Sequence, residues 1–252
     1  MKRRLIAFDL DDTLAITKSP ISDRMGELLG ELLEKYEVCV ISGGKFEQFK
    51  KQLIDRLAVD DQLLGRLHIM PTCGTRYYRY DEVKGEWTKV YAEDLTDNQK
   101  KRIIEVLTEG AKKLGYWEEK PYGDIVEDRG SQITFSALGQ QAPAELKYKW
   151  DPDGVKKHAL RDYAAPFLDD LEVRVGGTTS VDVTRIGIDK AYGMQKLIEV
   201  LDINKDDILF IGDRLEEGGN DYPVKAMGID TLQVSCWEDT ALVIEGIVKV
   251  SE

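Results

Sequence analysis

Short apolar runs alternate with amphipathic segments at both ends of this chain. The runs at 5–8, 38–41 and 208–211 have the length of a strand, and each is followed by a polar residue or a glycine. The segments at 22–36 and 189–200 carry apolar residues three and four positions apart, which predicts helices with one buried face. Strands that alternate with helices are typical of a parallel sheet, and the uniformly apolar runs predict strands buried on both faces.

The middle of the chain, from residue 75 to residue 184, has a different pattern. Tyrosines precede a turn at Lys84–Gly85 and more aromatic residues follow it, which predicts a β-hairpin. Further helices are predicted at 97–114 and 154–167, and further strands at 125–129, 132–136, 171–175 and 180–184. Strands in hairpin order with two helices predict an α+β insertion rather than a continued alternation of strands and helices.

We therefore predict an α/β protein with two domains. Its core, residues 1–74 and 185–252, would be a Rossmann-like parallel sheet with helices on both faces, built from both ends of the chain. Residues 75–184 would form an inserted α+β cap domain with an antiparallel sheet. A chain of 252 residues is long enough for this division, because single hydrophobic cores stop growing at about 250–300 residues.

The charge of the chain narrows the range of partners. Its formal net charge is −12, whereas binding to a nucleic-acid backbone requires a basic surface, so we expect no nucleic-acid partner.

No apolar run approaches the roughly 20 residues of a membrane helix, and the first run stops at Asp9, too early for a secretion signal. We therefore expect a cytoplasmic protein with no membrane partner. The three cysteines lack the paired spacing of a disulfide framework or a zinc site.

Two aspartates follow the first apolar run. Asp9 and Asp11 are two residues apart, a spacing that places both side chains on one face of an extended backbone. In open α/β sheets, ligands bind at the carboxyl ends of the strands, where these residues would lie. At about 4 Å and an effective dielectric constant near 20, two such charges repel by roughly 4 kcal/mol, which a divalent cation would offset. For this motif alone, an acidic turn without a metal is an equally good explanation.

Further polar residues are predicted at the same edge of the sheet. The segment Ser42-Gly43-Gly44 offers a hydroxyl and flexible backbone amides that can hold a phosphate group, although a simple glycine turn also explains it. The loop after the run at 208–211 supplies Asp213 and Asp221, which would complete a metal site beside a second acidic loop. Lys190 begins a predicted helix, where a solvent-exposed lysine is the alternative explanation.

Together these segments resemble the motifs of the haloacid dehalogenase superfamily. The four motifs are DLDDT at 9–13, the strand that ends in Ser42, Lys190 at a helix start, and GD…ND at 212–221. The insertion between the second and third motifs resembles the cap of subclass IIB. Within that subclass, the chain is similar over most of its length to the eukaryotic-type phosphomannomutases. This similarity is carried by VEDR, GGTTSVDV, IDK and GGNDYPV, at 126–129, 176–183, 188–190 and 218–224.

The resemblance implies a role for each candidate residue. Asp9 would be the nucleophile that takes the phosphoryl group as an aspartyl phosphate, and Asp11 would be the general acid and base. Ser42 and Lys190 would hold the oxygens of the phosphoryl group. The cofactor would be Mg²⁺, and its ligands would be Asp9, the backbone carbonyl of Asp11, Asp213 and Asp221.

The resemblance also implies a substrate, a small phosphorylated metabolite such as a sugar phosphate. The predicted substrate contacts are Gly43, Gly44, Arg129, Gln140, Lys147, Ser180 and Asp182. A phosphomutase must bind phosphate at two ends of its substrate, and Gln140 and Lys147 stand where the mutases have arginines. Glutamine lacks the bidentate fork of arginine, and lysine offers only a point charge.

These departures favour a magnesium-dependent phosphatase that hydrolyses a phosphorylated metabolite through an aspartyl phosphate. The alternative is a phosphomannomutase-like sugar-phosphate mutase. A third reading is a non-catalytic phosphosugar-binding protein, and the presence of both Asp9 and Asp11 argues against it. Asp12 also departs from the family pattern, because it replaces the glycine that follows the acid/base aspartate. The resemblance leaves open whether a homodimer forms through the cap.

Overall fold

The computed structural model describes residues 3–251. Its strands are β1 (Leu5–Phe8), β2 (Glu37–Ile41), β3 (Leu67–Met70), β4 (Arg76–Asp81), β5 (Glu86–Ala92), β6 (Val126–Asp128), β7 (Ile133–Ser136), β8 (Leu171–Val175), β9 (Ser180–Arg185), β10 (Ile208–Gly212) and β11 (Asp230–Gln233). Its α-helices are α1 (Asp23–Lys35), α2 (Phe46–Gln52), α3 (Asp61–Leu64), α4 (Asp97–Lys113), α5 (Ala144–Trp150), α6 (Val155–Ala164), α7 (Lys190–Leu201), α8 (Tyr222–Ala226) and α9 (Trp237–Val250).

The larger sheet has seven strands in the order β11-β10-β1-β2-β3-β4-β5. The five strands from β11 to β3 are parallel, and β4 and β5 extend the sheet as an antiparallel hairpin. Strands from the two ends of the chain are therefore neighbours in one sheet. This arrangement confirms the predicted α/β fold class.

Alternate residues of β1 face opposite sides of this sheet, and both sides are covered by helices. Ile6 and Phe8 belong to a buried cluster with residues of α1 and α9, whereas Leu5 and Ala7 belong to a cluster with residues of α7 and α8. All four strand residues are buried. At about 0.8 kcal/mol per buried CH₂, this burial is a main source of stability for the central strand.

The smaller sheet is antiparallel throughout, with the strand order β6-β7-β9-β8. Its apolar face packs against α4 and α6 through a buried cluster that includes Phe135, Val183, Leu107 and Leu160. Helix α4 begins with a capping box, in which Thr96 and Gln99 bond each other's backbone amides. The predicted antiparallel sheet of the insertion is therefore present.

The chain divides into two compact units, Met1–Ala92 with Asp189–Glu252, and Glu93–Ile188. The sequence pattern places the hairpin at 76–92 in the inserted domain, but the structure places it in the first unit. The reason is strand pairing, because Ile69 of β3 lies opposite Tyr78 of β4. The assignment of catalysis to the first unit and of specificity to the second stays a prediction.

Among the helices in the described part of the chain, none is both long and apolar enough to cross a membrane.

Candidate active site

The carboxyl ends of three neighbouring parallel strands bring the first candidate residues together. Phe8, the last residue of β1, lies opposite Val40 of β2 on one side and Ile211 of β10 on the other. Asp9 follows Phe8 directly, and its backbone N–H donates to the carbonyl of Ile211 over 3.0 Å. Asp9 is therefore held beside the end of β10, next to the loop that begins at Asp213.

Three acidic side chains meet at this edge of the sheet. Oxygen atoms of Asp9, Asp213 and Asp221 lie within 4.8 Å of one another. Asp221 is fully buried, and one of its oxygens accepts a hydrogen bond from the backbone N–H of Arg214 over 3.1 Å. A Cβ atom on Gly212 would lie 2.4 Å from that same oxygen, so only glycine allows Asp221 to approach the end of β10 so closely.

Lys190 places an ammonium group between two of these carboxylates. It is the first residue of α7, which is capped by the Asp189 side chain on the backbone N–H of Tyr192. The Lys190 Nζ donates to Asp9 Oδ1 and to Asp221 Oδ1, at 2.5 Å each. Burial alone would lower the pKa of Lys190, but the two carboxylates outweigh it and raise the pKa above its ordinary value. The ammonium is therefore permanently charged.

The acids outnumber the cation that pairs with them. Burial raises the pKa of Asp9 well above its usual range, with Asp221 and Asp213 adding to the effect and Lys190 opposing it. Burial and the Asp221 carboxylate raise the pKa of Asp213 to about 6. Three clustered carboxylates with one ammonium leave excess negative charge in a place with little water. These oxygen ligands fit a hard divalent cation such as Mg²⁺, which would remove that excess.

The Asp11 carboxylate, predicted as a fourth member of this group, is held in a different environment. It accepts hydrogen bonds from the backbone N–H and the Nζ of Lys18, from Gln48 Nε2 over 3.3 Å, and from Gln52 Nε2 over 3.1 Å. Burial would raise the pKa of Asp11, but the Lys18 ammonium and these hydrogen bonds outweigh it and lower the pKa to about 2. Asp11 is therefore held as an anion.

The partners of Asp11 are residues that the sequence patterns do not identify. Lys18 reaches Asp11 because the loop between them closes on itself, with left-handed backbone at Asp12 (φ 64°) and at Lys18 (φ 57°). Gln48 and Gln52 are four residues apart on α2, so both amides lie on one face of that helix. This spacing is the one signal in the sequence that could have linked them to a single acceptor.

Replacing Lys18 by methionine is expected to lower the free energy of unfolding by about 2 kcal/mol at pH 7. The stabilisation arises because the pKa of Asp11 is about 2 in the folded state against 3.8 ordinarily. It is fully present above pH 3.8 and is lost as the pH falls through 2. Urea unfolding of the wild type and the variant should therefore give curves that converge between pH 5 and pH 2.

The matched control is Lys51→Met, which removes an exposed lysine one residue before Gln52. Its unfolding curves should follow the wild type at every pH. A Lys18→Met variant whose stability loss stays constant down to pH 2 would contradict the proposed link to Asp11.

The predicted phosphate cradle lies at the end of β2, beside Asp9. Ser42 and Gly44 are buried, and the Gly44 N–H approaches Ser42 Oγ at 3.4 Å. The segment is tied to the turn that follows β3, because Thr72 N–H donates to Gly44 O and Cys73 N–H donates to Ser42 O. The roles of Ser42, Gly43 and Gly44 toward a phosphate group stay predictions.

Four of the predicted substrate contacts lie on or beside the polar face of the smaller sheet, in the second unit. Lys147 Nζ donates to the backbone carbonyl of Gln140, whose side-chain amide donates to Ser136 Oγ; both distances are 2.8 Å. Ser136 in turn lies 3.3 Å from Ser180 Oγ, oxygen to oxygen. Two residue pairs further along the same two strands, Asp182 accepts a hydrogen bond from Thr134 over 2.6 Å.

Arg129, the fifth residue predicted in this unit, is engaged at the neighbouring strand. Its Nε donates to the carboxylate of Glu127 over 2.7 Å, and both side chains are largely buried. Glu127 lies opposite Thr134 in the sheet, so the arginine belongs to the same polar face. The structure thus gathers the five residues on one surface, and their contact with a substrate stays a prediction.

Comparison with known proteins identifies the family. A family model described as eukaryotic phosphomannomutase matches residues 25–250. The chain belongs to the eukaryotic phosphomannomutase family. The match begins inside α1, so the stretch with Asp9 and Asp11 lies before the matched residues. The predicted resemblance to the phosphomannomutases is confirmed.

Relatives of the phosphomannomutase family align with nearly the whole chain. A probable phosphomannomutase of Caenorhabditis elegans is 26% identical over 230 residues, which cover 89% of this chain and 87% of the relative. Phosphomannomutase 2 of Dictyostelium discoideum is also 26% identical over 230 residues, covering 88% of this chain and 87% of the relative. The similarity therefore spans both compact units.

Two solved structures show that other proteins share the fold of this chain. A haloacid dehalogenase-like hydrolase from Bacteroides thetaiotaomicron superposes with a TM-score of 0.64 at 18% identity, covering 98% of this chain and all of the other. The IMP-bound IMP-nucleotidase of Plasmodium falciparum superposes with a TM-score of 0.73 at 16% identity, covering 98% of this chain and 68% of the other.

The preference for a phosphatase is wrong, because the matching family and the relatives that cover the chain are phosphomannomutases. That preference rests on Gln140 and Lys147 standing in place of arginines. In the structure the two residues are in contact, because the Lys147 ammonium donates to the backbone carbonyl of Gln140. Two positions do not outweigh a match that runs from residue 25 to residue 250.

Proposed function

We propose that this protein is a phosphosugar mutase of the phosphomannomutase type, which moves a phosphoryl group between two oxygens of a hexose phosphate. The observation that carries this proposal is the match of the eukaryotic phosphomannomutase family to residues 25–250. The buried acids and the ammonium at the strand ends support it, because phosphoryl transfer depends on positioning and on charge stabilisation.

Asp9 is the proposed nucleophile. Its oxygen attacks the phosphorus of a sugar bisphosphate, the bond from phosphorus to the sugar oxygen breaks, and an aspartyl phosphate remains. Lys190, 2.5 Å from Asp9 Oδ1, favours the ionised carboxylate and so opposes the burial that raises the pKa of Asp9. The same ammonium stays beside the transferred group and stabilises the charge on its oxygens.

Asp11 is the proposed general acid and base. It donates a proton to the sugar oxygen as that oxygen leaves phosphorus, and it takes a proton from the sugar hydroxyl that attacks phosphorus in the return step. Because Lys18, Gln48 and Gln52 hold Asp11 as an anion, the side chain must release these donors and take up a proton before it can act as the acid. Proton transfer is therefore coupled to a movement of the Asp11 side chain.

The chain has a set of residues suited to a magnesium ion. Asp9, Asp213 and Asp221 would hold the ion through carboxylate oxygens, with the backbone carbonyl of Asp11 as a predicted further ligand. When bound, Mg²⁺ supplies positive charge that stabilises the oxygens of the phosphoryl group. Thr13, whose hydroxyl lies 3.3 Å from Asp213 Oδ1, helps to orient that carboxylate.

The polar face of the second unit supports a hydroxyl-rich, anionic ligand. Arg129, Lys147, Ser180 and Asp182 offer a guanidinium, an ammonium, a hydroxyl and a carboxylate on one surface. Such a mixture suits a sugar phosphate, since sugar hydroxyls both donate and accept hydrogen bonds. We propose that these residues take part in phosphosugar recognition.

The decisive experiment is an isomerisation assay. The protein is incubated with Mg²⁺, mannose 1-phosphate and a trace of a hexose bisphosphate, and mannose 6-phosphate and free phosphate are both measured. We expect mannose 6-phosphate to form, with dependence on the bisphosphate and without an equal release of phosphate. Release of one phosphate for each substrate consumed, with no isomer formed, would contradict the proposal.

A further inference from the structure

The turn after β3 has an unusual backbone. Three consecutive residues have left-handed conformations, Thr72 (φ 50°), Cys73 (φ 55°) and Gly74 (φ 83°). Side chains other than glycine rarely adopt this region, and a β-branched residue such as threonine is a clear outlier. Strained backbone of this kind persists only where its surroundings enforce it, and it is concentrated at functional sites.

On one side, this turn is bonded to the predicted phosphate cradle. The backbone N–H of Thr72 donates to the carbonyl of Gly44, and the next N–H, that of Cys73, donates to the carbonyl of Ser42, each over 3.0 Å. Two successive amides therefore fix the segment that follows β2. The left-handed backbone of the turn is what directs both N–H groups to the same segment.

On its other side, the turn packs against α7 with no room for a side chain. A Cβ atom on Gly193 would lie 2.6 Å from the carbonyl oxygen of Cys73 and 2.5 Å from Ile41 Cδ1, and one on Gly74 would lie 2.3 Å from the Cα of Gly193. Gly193 comes three residues after Lys190, so the two lie on the same side of the helix. The backbone contact is thus less than one turn from the ammonium of the site.

We propose that Gly193 and the turn Thr72–Gly74 are positioning residues, which set the place of Lys190 relative to the Ser42–Gly44 segment. The Lys190 ammonium donates to both Asp9 and Asp221, so a small displacement of α7 lengthens one of these bonds. A Cβ atom on Gly193 would lie 2.6 Å from the carbonyl oxygen of Cys73, whereas ordinary contact begins at 3.4 Å. Helix α7 or the turn must therefore shift by about 0.8 Å. A displacement of about 1 Å in a catalytic group can lower turnover by about 10²-fold.

This inference rests on the proposed function in one respect, since it takes Lys190 to act on the transferring phosphoryl group. The test is a double-mutant cycle with Gly193→Ala and Lys190→Met. Gly193→Ala alone is expected to lower kcat by about 10²-fold with KM changed less than threefold. In the Lys190→Met background, the same alanine should change kcat by less than twofold, because its effect is transmitted through the missing ammonium.

The control is Gly246→Ala, a glycine within α9 whose added Cβ would meet no atom within 4 Å. It should leave kcat and KM as in the wild type. The proposal is overturned if Gly193→Ala leaves kcat unchanged, or if it lowers kcat as strongly with methionine at residue 190 as with lysine.

A milder variant covers the case in which Gly193→Ala does not fold. The Tyr91 hydroxyl donates to the carbonyl of Gly74 over 2.8 Å, so Tyr91→Phe loosens the turn without adding bulk. We expect kcat to fall about threefold to tenfold, and only when Lys190 is present. The matched control is Tyr80→Phe on the same hairpin, which removes a hydrogen bond to Asp61 of α3 and should have no effect. No effect of Tyr91→Phe would count against the proposal.

Binding of trifluoroberyllate, a mimic of a phosphoryl group, separates this inference from the proposed function. Its affinity in the presence of Mg²⁺, measured by calorimetry, needs no knowledge of the sugar. Gly193→Ala and Tyr91→Phe should weaken binding in the same order as they lower kcat, and again only when Lys190 is present. Wild-type protein that binds the mimic but forms no sugar isomer would reject the mutase function and leave the positioning role to be decided by the variants.

Discussion

Replacing Asp9 by asparagine is expected to lower mutase turnover by on the order of 10⁴-fold and to leave the fold intact. Asparagine has nearly the shape of aspartate, but its amide oxygen is a poor nucleophile for phosphorus. The lysine ammonium beside it would still bind Asp221. Turnover is measured as isomer formation at saturating substrate and Mg²⁺, and the fold is checked by circular dichroism.

The same variant is expected to be more stable than the wild type at pH 7. Burial raises the pKa of Asp9 well above its ordinary 3.8, which means that the folded state binds a proton more tightly than the unfolded chain does. For such a group, stability falls as the pH rises from 3.8 to the folded-state pKa. The uncharged amide removes this loss, so urea unfolding in EDTA should show a higher midpoint.

The control for both effects is Asp230→Asn. Asp230 is an exposed residue at the start of β11, paired with Arg3. It should change neither turnover nor the urea midpoint by a measurable amount. An Asp9→Asn protein that keeps a tenth of the wild-type turnover would remove Asp9 from the role of nucleophile.

The core of the fold could be predicted because its signal is local. Strand β1 is apolar at every position, and the parallel strands on either side of it are apolar over most of their length, so burial on both faces could be predicted from the sequence. The hairpin at 76–92 carries no such signal. Its aromatic residues suit either sheet, and only the pairing of β4 with β3 assigns it to the first unit. Long-range pairing of this kind is a property of tertiary structure.

The candidate site shows the same division between local and long-range information. Asp9 and Asp213 each directly follow a parallel strand, and Asp221 ends the loop that begins at Asp213, so their proximity could be expected from strand order. The hydrogen bonds from Lys18 to Asp11 could not be predicted from strand order. They depend on left-handed backbone at Asp12 and Lys18, which no pattern in the sequence indicates.

The residue types at a few single positions do not distinguish a phosphatase from a mutase. Gln140 and Lys147 differ from arginine in chemistry, but a change of residue type does not reveal that the Lys147 ammonium donates to the backbone carbonyl of Gln140. The effects of substitutions at two residues in contact are not additive, so the consequences of Gln140 and Lys147 for function cannot be judged one residue at a time. Similarity across the whole chain carries more information about function than these two positions do.

Replacing Lys190 by methionine is expected to damage activity and stability together. The ammonium is 2% exposed and bonds two buried carboxylates, so its removal leaves those charges without a partner. Removing one partner of a buried ion pair typically lowers the free energy of unfolding by about 3–5 kcal/mol. Loss of a preorganised charge at a transferring group typically lowers kcat by about 10²–10³-fold. Lys225→Met, at an exposed lysine of α8, is the control and should change neither quantity.

A second substitution separates the two consequences of losing this lysine. In Lys190→Met/Asp221→Asn, the carboxylate of residue 221 is replaced by a neutral amide. A buried amide without the lysine costs less free energy than a buried carboxylate without it, so most of the lost stability should return. Turnover should not return, since the charge that acts on the phosphoryl group is still absent. We would measure the urea midpoint in EDTA and kcat with Mg²⁺ for all three proteins. Recovery of kcat in step with stability would mean that Lys190 supports the fold and has no direct part in phosphoryl transfer.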